Sequence, residues 1–329
     1  MSGHEIRTCP FDGSRVVVAA GREGRPGAEF AVEPLTPLDP SGDPFLEGHE
    51  SQTPPEVDAE RPGGGAADGP GWVTRVVPNK YPLVASDAPE IEPEALPELF
   101  GAVAATGAHE VIVQSPAAVQ SLAEVDGAQL RRVVAMWQQR LRAHAGAPAR
   151  QLFVNERPRA GASQPHSHAQ LVTLGAVPAA LARERERAEA YAVRTMGGSL
   201  AGDYLQEEVR RGHRVVAVDD EAVLVAPWAS RGPYHLTVLP RRTALRFEDE
   251  PAGVGAGLVG EALRLLAARF GATPPLNLWV HTAVSGAERT SWRIELLPAL
   301  TQPGGLELSS GLGVCTVAPE AAAAELRSL

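Results

Sequence analysis

The chain has 329 residues, 44% hydrophobic and 21% charged, a balance expected of a soluble globular protein long enough for two domains. Its formal net charge of −10 argues against a general binder of nucleic acid or of membrane surfaces, since both need clustered basic charge. Cys9 and Cys315 alone give neither a disulfide framework nor a Cys-x-x-Cys zinc site, no apolar run is long enough to span a membrane, and the polar start "MSGHEIRTCP" is no signal peptide, so a cytoplasmic protein is expected.

Along the chain, residues 34–53 are turn-rich. Residues 54–71, "PPEVDAERPGGGAADGPG", have almost nothing to bury and read as a mobile loop. Strand-like runs follow at 72–77, 110–115, 150–155 and 169–174, each heavy in β-branched residues. Between the second and third lies a predicted helix, 126–144. There Leu130, Val133, Val134, Trp137 and Leu141 make one apolar stripe, and Asp126 is the candidate N-cap. The stretch "LARERERAEAYAVRTMG" (181–197) reads as a charged helical joint. Past it, strand-like runs recur at 222–227, 235–240, 277–282 and 293–298, with a helix near 252–269 between the second and third. The order of elements repeats, which points to a duplicated α+β unit with mainly antiparallel sheets, divided as 1–185 and 186–329.

The stretch "GASQPHSHAQL" (161–171) holds His166 and His168, with Gln170 two beyond. On a strand these three share one face. That row could be an ordinary half-buried polar face or two ligands of a metal, although no third and fourth ligand lie at motif spacing. The preceding "NERPRAGAS" (155–163) brings turn formers, small residues, the neutral donors Asn155 and Ser163, and the charges of Arg157 and Arg159. A nucleophilic imidazole beside an anion-binding loop suits attack on phosphorus. Gln170 can donate to a phosphoryl oxygen without acting as a general acid.

These residues resemble the active-site motif of the galactose-1-phosphate uridylyltransferase family, the nucleotidyltransferase branch of the histidine-triad superfamily. The motif reads here Asn155, Gly161, Ser163, His166, Ser167, His168 and Gln170. "FDGSRVVVAAGREGRP" is similar to the family's opening strand and Arg-x-x-Arg-Pro element, giving Arg22 and Arg25. "VTRVVPNKYPLV" is similar to a segment that places Asn79 at the nucleotide, and "WRIELLPAL" and "GGLELSSGLGVCTVAPEAAAAELR" to the closing strands and terminal helix. The resemblance implies two tandem histidine-triad-like units, the first carrying the active site and the second contributing to sugar and nucleotide binding. It implies His168 as the nucleophile and Gln170 as the group stabilising the transferred phosphoryl. Arg22, Arg25, Asn79, Asn155 and Ser163 would bind substrate, and a backbone carbonyl near His166 would fix the His168 tautomer. The activity implied is uridylyl transfer between UDP-glucose and a hexose 1-phosphate, in a family whose members are often homodimers.

The chain also departs from the family. Where a structural zinc would be held, it has Asp43, Leu46 and Ala118 beside His166, so no zinc is expected. At the positions of a second metal stand Glu184, His281, Arg293 and Glu295. Either Arg293 replaces the cation by pairing with Glu184 or Glu295, or it is an ordinary solvated strand residue. Ser310 and Gly311 stand where members with galactose chemistry have a Tyr-Glu pair, and Arg157 replaces a glycine of the phosphate loop. A sister group that moves adenylyl groups between ADP-glucose and phosphate is the runner-up. A histidine-triad hydrolase is disfavoured by Gln170, and a non-catalytic nucleotide-sugar binder is the remaining alternative.

Overall fold

A computed structural model of the chain describes residues 4–21, 30–92 and 99–329; Arg22 and Arg25 lie outside the described residues. In chain order the elements begin β1 (His4–Thr8), β2 (Arg15–Ala19), β3 (Asp58–Glu60), β4 (Thr74–Pro78), β5 (His109–Val113), α1 (Gly127–Ala143), β6 (Ala149–Glu156) and β7 (His168–Leu174). They continue α2 (Ala179–Arg194), α3 (Leu200–Arg211), β8 (Val215–Val218), β9 (Ala222–Val225), β10 (Leu236–Pro240), α4 (Ala256–Phe270) and β11 (Leu276–His281). The last are β12 (Arg293–Pro298), α5 (Gly305–Ser310), β13 (Gly313–Cys315) and α6 (Pro319–Arg327).

The α+β class holds, with antiparallel pairing throughout one ten-stranded sheet of order β3-β4-β5-β7-β6-β11-β12-β10-β9-β8. Its first five strands precede residue 175 and its other five follow it. The two sets meet where β6 pairs with β11, from Leu276 opposite Glu156 to Val280 opposite Leu152. The division at 185/186 therefore falls inside α2, and strands from both sides of it share a sheet. A second sheet, β1-β2-β13, ties the N-terminus to the C-terminus, with β13 parallel to β2.

Alternation along the strands gives the large sheet two unlike faces. One is apolar: Ile112, Leu152, Ala169, Leu171, Leu278 and Ile294 are buried there together with α1 and α4. The predicted stripe of α1 is the buried one, and the Asp126 carboxylate accepts from the Gln129 amide at 2.8 Å, closing the first turn. The opposite face is polar. Register sets Gln170, Phe153, Trp279, Glu295 and Thr237 in one row across five strands of that face.

The reading of 54–71 as a loop with nothing to bury needs correction. Asp58–Glu60 pairs with β4, and Glu56 holds Arg61 at 2.7 Å and the buried Arg75 at 3.1 Å, while Asp68 meets Arg75 at 2.6 Å. A charge from the next strand, Arg75, organises the segment that apolar residues do not. The sequence reading also lacked α3, β8 and β1. Among the described residues no helix is long and apolar enough to cross a membrane.

Candidate active site

β7 starts at His168, so His168 and Gln170 share the polar face of the sheet. His168 is buried, and its Nδ1 donates to the backbone carbonyl of His166 at 2.8 Å. With the proton fixed on Nδ1, the lone pair of Nε2 is left for chemistry. Nε2 has no hydrogen-bond partner among the described residues. Burial pushes the His168 pKa down, which keeps the ring neutral and nucleophilic.

His166 is held from both sides. Its Nδ1 lies 2.7 Å from the Asp43 carboxylate and its Nε2 lies 3.0 Å from the carbonyl of Ser115. The Phe45 ring packs at 6.1 Å from the His166 ring and 5.2 Å from the His168 ring. Burial opposes ionisation of Asp43, yet hydrogen bonds from His166 and the Phe45 amide hold its carboxyl below the usual range. The donor set does not fit zinc: both His166 nitrogens face protein acceptors, and Leu46 and Ala118 carry no ligating atom. An Asp43–His166 pair stands in that place.

Gln170 is anchored by a residue that sequence reasoning missed. His109, at the start of β5, lies diagonally across the β5–β7 pairing and donates from Nε2 to Gln170 Oε1 at 2.9 Å. The Leu83 amide donates to His109 Nδ1 at 3.2 Å. Asn79 Nδ2 is 3.2 Å from His109 Nε2, and Asn79 Oδ1 accepts from the Tyr81 amide at 2.8 Å. Asn79 and Gln170 thus flank the same His109 nitrogen, and Gln170 is the one that offers it an acceptor. Nothing local in "HEVIVQS" signals this role; it arises from strand pairing.

Asn155, next to last in β6, lies on the same face, one register step from the Val154–Ala169 pair and hence opposite His168. Its Oδ1 accepts from Asn277 Nδ2 at 2.8 Å, which turns its own amide NH2 away from Asn277. Asn277 also donates to the Ala160 carbonyl at 2.7 Å, so it braces the loop that leads to Ser163. Ser163 is exposed and makes no side-chain hydrogen bond among the described residues. Beside Asn277 opens a cleft of about 630 Å³ whose lining includes Arg159, Arg183, Arg231, Leu297 and Gly311 but neither His168 nor Gln170.

The two arginines of the loop both donate to backbone carbonyls. Arg157 donates to the carbonyls of Glu33 (2.8 Å) and Thr273 (2.9 Å), and Arg159 to that of Leu300 (2.6 Å). These contacts brace the surrounding loops, and Arg159 also lines the cleft beside Asn277. Arg157 also adopts φ +71°, a conformation that favours glycine. The guanidinium contacts are what hold a bulkier residue in that strained backbone.

A second polar centre lies further along the same face. Arg293 is buried and meets Glu184 through two nitrogens (2.5 and 2.9 Å) and Glu295 through Nε (2.8 Å). It is an ion-pair centre, not a solvated strand residue. His281 Nε2 accepts from Trp279 Nε1 at 2.8 Å and lies 3.1 Å from Arg293 Nη2. Burial, reinforced by the Arg293 charge, pushes the His281 pKa down to about 4. Burial works against Glu184 and Glu295, but Arg293 for the first and His235 with Arg293 for the second hold both carboxyls below the usual range. This centre does not fit a metal either: a guanidinium occupies its middle, and the His281 lone pair is already engaged.

Residues 72–178 match the family model described as galactose-1-phosphate uridyl transferase, N-terminal domain. The ADP-glucose phosphorylase of Arabidopsis thaliana is 26% identical to the chain, and the match covers 99% of this chain and 93% of that protein. The galactose-1-phosphate uridylyltransferase of Haemophilus influenzae is 25% identical over 67% of this chain, and the match spans only 64% of that enzyme. Among solved structures, the Arabidopsis thaliana ADP-glucose phosphorylase with bound ADP-glucose superposes with a TM-score of 0.81 at 24% identity, covering 99% of both chains.

Proposed function

We propose that this chain, similar to galactose-1-phosphate uridylyltransferases over residues 72–178 and to an ADP-glucose phosphorylase along nearly its whole length, is a nucleotidyltransferase that transfers a nucleotidyl group by way of His168. The single observation that carries this is the 2.8 Å contact from His168 Nδ1 to the His166 carbonyl, which leaves Nε2 as an unprotonated nucleophile beside Gln170. In the first half-reaction the Nε2 lone pair attacks the α-phosphorus of a nucleoside diphosphate glucose. An N–P bond forms, the P–O bond to the β-phosphate breaks, and glucose 1-phosphate leaves with the bonding pair. In the second, a phosphate oxygen of the acceptor attacks the same phosphorus, the N–P bond breaks, and His168 regains its lone pair. Asn79, Asn155 and Ser163, with Arg22 and Arg25, are the substrate-binding groups of this proposal. Gln170 donates to a non-bridging phosphoryl oxygen. As an amide it cannot protonate a leaving group, so it favours transfer over hydrolysis.

Our first choice of donor and acceptor is ADP-glucose and inorganic phosphate, with adenylyl transferred to give ADP. This reverses the order drawn from sequence alone. Two observations support it. The match to ADP-glucose phosphorylase runs along 99% of the chain, against 67% for the Haemophilus influenzae uridylyltransferase. The segment where a sugar-binding carboxylate would stand also offers none: the Ser310 hydroxyl donates to the Leu306 carbonyl at 2.5 Å inside α5, and Gly311 has no side chain. Inorganic phosphate has no hexose hydroxyls to be recognised, so such a loss costs it nothing. Uridylyl transfer from UDP-glucose to a hexose 1-phosphate is the second reading, supported by the family match over residues 72–178.

Product analysis separates the readings. Phosphate-dependent release of glucose 1-phosphate and ADP from ADP-glucose supports the first. Turnover confined to UDP-glucose with a hexose 1-phosphate replaces it with the second. Binding of either nucleotide sugar without turnover defeats both in favour of a non-catalytic binder.

A further inference from the structure

We infer that His109 is a positioning residue that decides which end of the Gln170 side chain faces the transferred phosphoryl group; the inference rests on the nucleotidyl-transfer reading above. A glutamine amide is nearly symmetric in shape but has a donor end and an acceptor end. Only the NH2 end can stabilise a phosphoryl oxygen, so something must hold the carbonyl end away.

The chain of constraint starts from the backbone. The Leu83 N–H can only donate, and it points at His109 Nδ1 at 3.2 Å. Nδ1 must therefore carry the lone pair, and the ring proton is on Nε2. That N–H needs an acceptor. Asn79 Nδ2, 3.2 Å away, is itself a donor, and the Tyr81 amide holds the Asn79 carbonyl in the opposite sense at 2.8 Å. The acceptor that remains is Gln170 Oε1 at 2.9 Å. With Oε1 committed, Gln170 Nε2 is turned away from His109, and it has no hydrogen-bond partner among the described residues. Residues 79–83 thereby determine the orientation of Gln170 through one imidazole. The contact also crosses two strands, from the first residue of β5 to the third of β7, so it forms only once the sheet is paired.

The test compares His109→Ala, His109→Gln, Gln170→Ala and the double variant His109→Ala/Gln170→Ala, with thermal melting to show that each is folded. Loss of a fixed orientation is expected to lower kcat of His109→Ala between about 10- and 100-fold with KM little changed. In the Gln170→Ala background the same substitution is expected to have no further effect. His109→Gln, which can still accept from Leu83 and donate to Gln170, is expected to recover part of the rate. A rate unchanged in His109→Ala, or a loss equally large with Gln170 absent, overturns the inference while leaving nucleotidyl transfer intact. A wild-type protein that transfers no nucleotide overturns the functional reading and this inference with it. Independently of activity, ¹⁵N spectra of histidine-labelled wild-type protein should show His109 protonated at Nε2; protonation at Nδ1 overturns the inference directly.

Discussion

His168 donates its Nδ1 proton to the backbone carbonyl of His166, 2.8 Å away, while the His166 ring is itself paired with Asp43 at 2.7 Å. The reactive ring thus depends on a buried polar pair behind it. Asp43→Ala leaves a buried imidazole facing an empty place. Breaking such a pair costs about 3–5 kcal/mol, and the His166 carbonyl is no longer held in position. Denaturant unfolding should report the lost stability, and the rate of nucleotidylation should fall in the same variant. Equal stability and rate in Asp43→Ala would show that the pair is incidental.

The pH dependence of the first half-reaction follows from burial of His168. Its pKa is pushed down, and the neutral ring is the nucleophile. Single-turnover rates should therefore stay level as pH falls past the ordinary histidine value of about 6.5. A decline centred at or above that value would contradict the assignment.

Glu156 gives the fold a pH dependence of its own. It ends β6 fully buried, accepting from the Ser121 hydroxyl and the Leu122 amide, both at 2.6 Å. Burial, the dominant cause, raises its pKa to about 7 despite those donors. The folded state thus holds the proton more tightly than the unfolded chain. The associated stability is full below about pH 4.5 and is lost as pH rises through about 7. Glu156→Gln should remove up to about 3 kcal/mol of that slope and be the more stable form at pH 8. Melting curves from pH 5 to pH 8 check it; parallel curves for the two proteins would rule it out.

Arg293 should behave as a permanent cation. Arg293→Ala leaves Glu184 and Glu295 buried without their shared partner and should cost about 3–5 kcal/mol. Elemental analysis of the purified wild-type protein should find no stoichiometric zinc or iron. A full equivalent of either would mean that Arg293 does not fill a metal's place.

What could be read from sequence depended on the range of the forces involved. α1 announced itself because its stripe from Leu130 to Leu141 and its Asp126 cap are local. The alternation of His168 and Gln170 was local too, so the face they share was legible, whereas His166 precedes β7 and its ring pairs with Asp43 instead. The union of β6 with β11, which makes one sheet of the two halves, was not, because nothing within either strand names its partner. His109 was missed for the same reason. Arg157 was read by its charge, as part of an anion-binding loop, whereas its guanidinium is engaged by the carbonyls of Glu33 and Thr273. The segment 54–71 was read from its lack of apolar residues, and Arg75 outside it supplies the order.

Nucleotidyl transfer by way of His168 requires a covalent nucleotidyl-histidine there. Intact-mass measurement after incubation with ADP-glucose or UDP-glucose, without acceptor and without acid quenching, tests it most directly. The wild-type protein should gain one adenylyl group from ADP-glucose, and His168→Ala should gain none. An unmodified wild-type protein with both donors, or an equal gain in His168→Ala, would contradict the account.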